Sequence, residues 1–341
     1  MIKKKLEEYL DYKQPQPYIV SNEQYSNEYK TPVLTAGKSF LLGMTNDTKG
    51  IYPASKDEPI ILFDDFTTDI KWVDFPFKVK SSACKILVPR NDTNLRFCYY
   101  GMKSLNFDAS QHKQYWISQY SQMQLPDYPN ARKAEIVERL SRIENQINIK
   151  ENQLNKLDSL VKSRFIEMFG DILINERKWP IKRLGDVCRV INGRAYSAPE
   201  LLDSGKYKVL RVGNFFTNDS WYFSNLELPA DKYCEKGDLV FAWSASFGPR
   251  IWDGDKVIYH YHIWKLQDYE NALDKIFFSE ELNWIVEDLK KKQHGSTMSH
   301  FTKGDMENEQ LPVPPIELQT QFRSFYELID KSRFDQEIQV A

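Results

Sequence analysis

The stretch QLPDYPNARKAEIVERL (residues 124–140) returns in outline as QLPVPPIELQTQFRSF (residues 310–325). Each copy opens with Gln-Leu-Pro and places a second proline three residues on, Pro129 or Pro315. Each then enters a helix-like run in which Glu135 or Gln321 precedes an apolar residue. This is the punctuation of a strand giving way to a helix, used twice in one chain.

After the first copy, Ile136, Leu140, Ile143, Ile147, Leu154, Leu157, Val161, Phe165 and Met168 recur mostly at threes and fours, with one polar position at Lys150. No glycine or proline falls between Ala131 and Phe169, and Gly170 with Asp171 supplies a stop. The pattern predicts one amphipathic helix with a heptad seam, roughly 58 Å long at 1.5 Å per residue. One compact domain does not bury so long a helix, so it needs a helical partner. After the second copy, Phe322, Phe325, Tyr326 and Ile329 mark the apolar face of a shorter helix.

Both flanking regions read as β-rich. In the first, EPIILFDDFTTD is a short apolar strand ending in polar residues, and FPFKVKSSACKILVP alternates like one half-buried strand. In the second, KYKVLRVGNFF, KGDLVFAWSASFG and KVIYHYHIWKL read as strands. FFSEELNWIVEDLKKK reads as a helix with Phe277, Leu282, Ile285 and Leu289 on one face. PIILFDDFTTD matches GDLVFAWSASFG in place, and FKVKSSACKIL matches KVIYHYHIWKL, about 180 residues apart. The predicted fold class is therefore α+β. Two β-rich domains, 1–126 and 173–314, are separated by helical segments, 127–172 and 315–341. The helices pack as an antiparallel coiled coil, and the internal repeat has pseudo-two-fold symmetry.

Composition agrees with a folded, water-borne chain: 41% hydrophobic, 28% charged and 14% aromatic residues over 341 positions. No apolar run approaches the ~20 residues of a bilayer span. Cys84, Cys98, Cys188 and Cys234 are scattered without CxxC spacing, which points to a reducing cytoplasm rather than to disulfides or zinc.

This order of domains and helices resembles the specificity subunit of type I restriction–modification systems. RLGDVCRVINGRAYS, KGDLVFAWSASFGP, YHIWKL and GSTMSHFTKGDMENEQLPVPPIELQTQF resemble a target-recognition domain and its exit. TPVLTAGKSFLLGMTND with ILFDDFTTDIKWVDFPFKVKSSACKIL resembles a different subtype of recognition domain. The resemblance implies a DNA-reading subunit without chemistry of its own. Each domain would read one half of a bipartite, asymmetric site in double-stranded DNA. The helices would set the spacing and dock two methyltransferase subunits. S-adenosylmethionine would belong to the methyltransferase partner, and ATP and magnesium to a restriction partner. The second helix departs from the pattern in being short. A recognition chain of a multi-subunit type II system, and a coiled-coil scaffold for protein partners, are the alternatives. The long helix could also serve as a plain dimerisation coiled coil.

The residues themselves contain no Asn/Asp-Pro-Pro-aromatic tetrapeptide, no strand-led GxGxxG and no GxxxxGK[ST] phosphate loop. Asp64 and Asp65 read as a polar strand end rather than a metal site. His260 and His262, two apart on an expected strand, share a face but lack a third ligand, so DNA or backbone hydrogen bonding is the stronger reading. Candidate DNA contacts are basic and hydroxyl residues among aromatics at strand ends. They comprise the lysine after Gly37 (Lys38), then Lys78, Lys80, Ser81, Ser82, Arg194, Tyr196, Ser197, Ser244, Ser246, Arg250, His260 and His262, and finally Ser296, Thr297, His300 and Lys303. A formal net charge of -2 is low for a free-standing DNA binder. A polarised surface, or partner subunits that supply the cations, would reconcile the two.

Overall fold

Gln124–Pro126 and Gln310–Pro312, the two Gln-Leu-Pro copies, are both short strands in a computed structural model. The structure describes residues 2–37, 39–111, 113–216, 220–244, 246–269, 271–292 and 302–338. The chain divides into two compact units, Met1–Asn148 and Ile149–Ala341.

The first unit runs β1 (Lys3–Lys5), α1 (Leu6–Tyr9), β2 (Leu10–Lys13), β3 (Thr31–Leu34), β4 (Leu41–Thr45), β5 (Ile60–Asp64) and β6 (Ile70–Val73). It continues with β7 (Lys78–Val79), β8 (Cys84–Pro89), α2 (Leu95–Lys103), β9 (Gln124–Pro126) and the first part of α3 (Asn130–Phe169). A four-stranded sheet has the order β2-β8-β5-β6, and a three-stranded sheet has the order β4-β3-β7 with β7 parallel to β3. β5 is buried on both faces, which explains its unbroken apolar run. Ile60 and Leu62 pack into one core with Val79 and Ile86, while Ile61 and Phe63 face a second core with Tyr115 and Trp116.

The second unit repeats the plan. After the rest of α3 come β10 (Ile181–Arg183), α4 (Leu184–Val187), β11 (Cys188–Asn192), β12 (Tyr207–Leu210), α5 (Val212–Phe216), β13 (Tyr222–Ser224) and β14 (Tyr233–Cys234). Then follow β15 (Leu239–Ser244), β16 (Ser246–Ile251), β17 (Val257–Tyr259), β18 (Ile263–Asp268), α6 (Lys275–Lys292), α7 (Lys303–Asn308), β19 (Gln310–Pro312) and α8 (Ile316–Ile338). The sheets are β11-β18-β15-β16 and β13-β12-β17-β14, again with one parallel pair, β12 with β17. The closing pairs share one register: Lys3, Lys4 and Lys5 face Pro126, Leu125 and Gln124, and Ile181, Lys182 and Arg183 face Pro312, Leu311 and Gln310. Each Gln-Leu-Pro strand thus pairs with the strand that opens its own domain.

Four strand readings from the sequence need correction: KYKVLRVGNFF passes from β12 into the helix α5, KGDLVFAWSASFG is a hairpin of β15 and β16, and two further stretches divide between sheets. FPFKVKSSACKILVP is two strands, β7 and β8, lying in different sheets with a turn between them. KVIYHYHIWKL likewise divides into β17 and β18. The chain changes layer at these points, so the pleat cannot continue, although apolar alternation does.

α3 is one continuous helix of 40 residues, and Gly170 ends it at φ +73°, a left-handed position that favours glycine. Its partners differ along its length. In the second unit Val161, Phe165 and Phe169 pack with Phe277 and Leu282 of α6 and Phe322 and Ile329 of α8, with Leu157 and Tyr326 at the margin. Asp158 pairs with Arg333 and Phe165 with Phe322, so α3 and α8 run antiparallel here. The seam is therefore three-helical; α6 adds a face that the paired-helix reading omitted. Leu154 is half-buried, and the side chain of Leu289 lies outside the described residues. In the first unit Ile136 packs into that unit's own core rather than against a partner helix. Leu140, Ile143 and Ile147 are exposed, Ile143 by 52%.

Glu281 of α6 is fully buried, and among the described residues neither carboxyl oxygen has a hydrogen-bond partner. Burial pushes its carboxyl well above the usual carboxylate range. A raised acid contributes stability that is complete below the unfolded-state value near ~4.3 and is lost as pH climbs through the folded-state value. Glu281→Gln is expected to remove that component. In urea unfolding at successive pH values, the variant's stability relative to the parent should rise with pH above the ordinary glutamate range. A constant difference across pH would show that the carboxyl ionises freely.

Candidate nucleic-acid interface

The layer-changing turns gather most of the predicted contacts of the second unit. β12 and β17 are parallel and end together, at Leu210 and Tyr259, and β15 ends beside the start of β18. The segment after β11 crosses this rim: Arg194 N–H donates to the Tyr259 carbonyl (3.0 Å), and Tyr261 N–H donates to the Arg194 carbonyl (3.1 Å). A Cβ on Gly193 would lie 2.3 Å from the His260 carbonyl oxygen, so only glycine allows this approach. Arg194, Tyr196, Ser197, Ser244, His260 and His262 therefore share one end of the domain, together with the backbone of Ser246.

Their chemistry is mostly neutral. The Arg194 guanidinium donates to Glu200 (2.6 Å) and lies 5.1 Å over the Tyr196 ring. That guanidinium, with hydrogen bonds from Ser197, holds the Glu200 carboxyl down at about 2. The Ser197 hydroxyl is occupied by the same carboxylate (2.9 Å). Burial, His262 and Arg211 lower His260 to about 4, and burial also lowers His262. The two histidines lie on the turn between β17 and β18 rather than on one strand face, with ring centroids 4.8 Å apart. No group of three metal-ligating side chains occurs among the described residues.

Arg250 lies elsewhere. It pairs with Val240 near the start of β15, whereas Ser244 and Ser246 face each other at its far end, four residues or roughly 13 Å along the strand. Its guanidinium is held by the Phe215 carbonyl (2.6 Å) and Asp253 (3.1 Å), beside a cavity of about 290 Å³ that Trp221 and Trp252 also line. Lys303 starts α7 and pairs with Glu307 (3.3 Å). Ser296, Thr297 and His300 lie outside the described residues, as does Lys38.

In the first unit the equivalent turn joins β7 to β8 and carries Lys80, Ser81 and Ser82. Lys80 is ion-paired with Glu23, and Ser82 is exposed. Lys78 is removed from the list of contacts: it is 2% exposed, ion-paired with Asp47 (3.1 Å) and donates to the Gly50 carbonyl (3.3 Å). The alternation that placed it on a surface belonged to a strand that does not exist. Asp64 and Asp65 serve the fold. Asp64 accepts from the N–H groups of Phe66 (2.8 Å) and Thr67 (3.0 Å). Buried Asp65 accepts from Trp116 N–H (2.7 Å) and faces Lys85 at 3.4 Å.

Two residues at the rim of the second unit were not singled out from the sequence. Exposed Arg211 follows β12 and lies 4.9 Å over the Tyr222 ring. Trp243 donates its indole N–H to the Tyr261 carbonyl (2.9 Å). A basic residue directly after a strand was the available signal for Arg211; Trp243 reads as an ordinary strand aromatic.

Among the described residues no helix is long and apolar enough to cross a membrane. Residues 176–338 match the family described as "Type I restriction modification DNA specificity domain". The specificity subunit of the type I restriction enzyme EcoR124I/EcoR124II of Escherichia coli is 51% identical over 125 residues, which is 36% of this chain and 31% of that protein. The MjaVIII specificity subunit of Methanocaldococcus jannaschii is 27% identical over 165 residues, 47% of this chain and 37% of that protein. The chain thus matches about a third of the length of these curated relatives. The solved type I restriction–modification S subunit from M. genitalium has the same fold, with a TM-score of 0.61 at 15% identity, over 99% of this chain and 91% of that one. Residues 176–338 thus carry the match to a type I restriction modification DNA specificity domain, the specificity subunits resemble this chain over about a third to a half of its length, and the chain has the fold of a solved S subunit.

Proposed function

We propose that this chain supplies DNA sequence specificity to a cytoplasmic type I restriction–modification complex. Each β-domain reads one half of a bipartite site, and the chain itself is non-catalytic. The observation that carries this reading is duplication of a frame with different side chains on it. The equivalent turns present Lys80-Ser81-Ser82 in one unit and His260-Tyr261-His262 in the other. One backbone device bearing two surfaces suits an asymmetric two-part sequence.

The exposed Leu140, Ile143 and Ile147 of α3 supply an apolar stripe on which methyltransferase subunits, two per chain, dock. S-adenosylmethionine belongs to those subunits, and ATP and magnesium to the restriction subunits. Partner cations account for DNA affinity despite the formal charge of -2.

The test is to express the chain with its methyltransferase partner and sequence the methylated positions across a host genome. A single bipartite motif with a fixed gap is the expected result. Methylation without a motif, or the same motif when this chain is omitted, overturns the proposal.

A further inference from the structure

Within that DNA-reading function, we propose that the His260–His262 turn is a base-reading element of the second domain. Tyr261 contacts base edges in the groove, and Trp243 is the positioning residue that holds the turn.

The turn is fixed from every side. His260 N–H donates to the Leu210 carbonyl (2.9 Å), Tyr261 N–H to Arg194 (3.1 Å) and Ile263 N–H to His260 (2.9 Å). Trp243 grips it twice: its backbone N–H donates to the His262 carbonyl (3.1 Å) and its indole N–H to the Tyr261 carbonyl (2.9 Å). The indole is itself anchored, stacked at 5.6 Å and 19° on buried Trp264. On this support Tyr261 stands 40% exposed. A large ring on a rigid support loses little conformational freedom on binding, which is how tyrosine serves other recognition loops.

The surroundings favour bases over phosphates. Phosphate contacts draw chiefly on cations and backbone donors. Of the two arginines at this rim, Arg194 is engaged by Glu200 and Arg211 lies over the Tyr222 ring, while the rings around Tyr261 itself are His260, His262 and Trp243. His260 Nδ1 accepts from the His262 backbone N–H (3.4 Å), which leaves Nε2 as the donor of a neutral imidazole. The histidines' lowered values agree. Neutral donors, acceptors and ring faces match base edges and the thymine methyl.

The experiment uses the full chain in complex with its methyltransferase partner and selects from DNA randomised in both half-sites. Tyr261→Ala should lower discrimination at positions of one half-site by about tenfold or more. Preference in the other half-site and the salt dependence of binding should stay as in the parent. Trp243→Phe keeps a ring on Trp264 but removes the indole donor, and should lower discrimination at the same positions by a smaller factor. Tyr261→Phe removes only the hydroxyl and preserves folding; an altered preference confined to those positions supports the assignment. If the parent selects a sequence and all three variants select the same one, the turn is not the reader, although DNA reading stands. Equal weakening on every sequence likewise overturns it. If the parent complex selects nothing, the proposed function fails, and the turn's role with it.

Discussion

Phe165→Ala is expected to destabilise the second unit by about 3–5 kcal/mol. Phe165 lies on α3 where the three helices meet, and it is fully buried. Its ring is stacked 5.6 Å from Phe277 at 17°, edge-on to Phe322 at 5.4 Å, and 4.9 Å from Phe169. Truncation removes transfer free energy and four aromatic contacts at once, the fourth with Trp284. Neighbours on three separate helices cannot all move in to fill the space. Urea unfolding followed by tryptophan fluorescence measures the loss, because Trp284 lies 6.3 Å from this ring. A loss below about 1 kcal/mol would mean that the helices do not pack as described. Ile143→Ala is the contrasting change: the side chain is exposed, so stability should stay within about 0.5 kcal/mol while methyltransferase assembly weakens.

Inserting four residues after Lys150 is expected to change the DNA gap and spare both half-sequences. α3 is unbroken from Asn130 to Phe169, and its contacts divide it between the two units at Asn148 and Ile149. An insertion there leaves each unit's own contacts with α3 intact. It adds roughly 6 Å of helix and about 40° of rotation, since four residues exceed one 3.6-residue turn. The added length is close to two base-pair steps of about 3.4 Å. The methylated motif should therefore keep its two halves and gain one or two base pairs between them, read by sequencing modified sites. Altered half-sequences with an unchanged gap would show that α3 is not the ruler.

What the sequence determined by itself was whatever depends on neighbours along the chain. The helix 130–169 was legible because its seam repeats within single turns, no breaker interrupts it, and Gly170 offers the left-handed end that structure confirms at φ +73°. The duplication was legible because Gln-Leu-Pro recurs at equivalent points; the pairing of each copy with its own domain's first strand gives that recurrence a structural cause. Tertiary structure decided which residues share a surface. Lys78 reads like Lys80, yet one is buried against Asp47 and the other reaches the surface, because β7 ends and the chain changes sheet between them. Arg194 and His260 are far apart in sequence but bridged at one rim, whereas Arg250, much nearer to His260 along the chain, lies down the strand from that rim. α6 packs on α3 through contacts between segments over a hundred residues apart, and α8 joins the same core. Helix propensity and caps act within a few residues, so a sequence displays them directly. A shared surface follows from which strands pair and which layer each enters, and those choices are set by burial of the whole core.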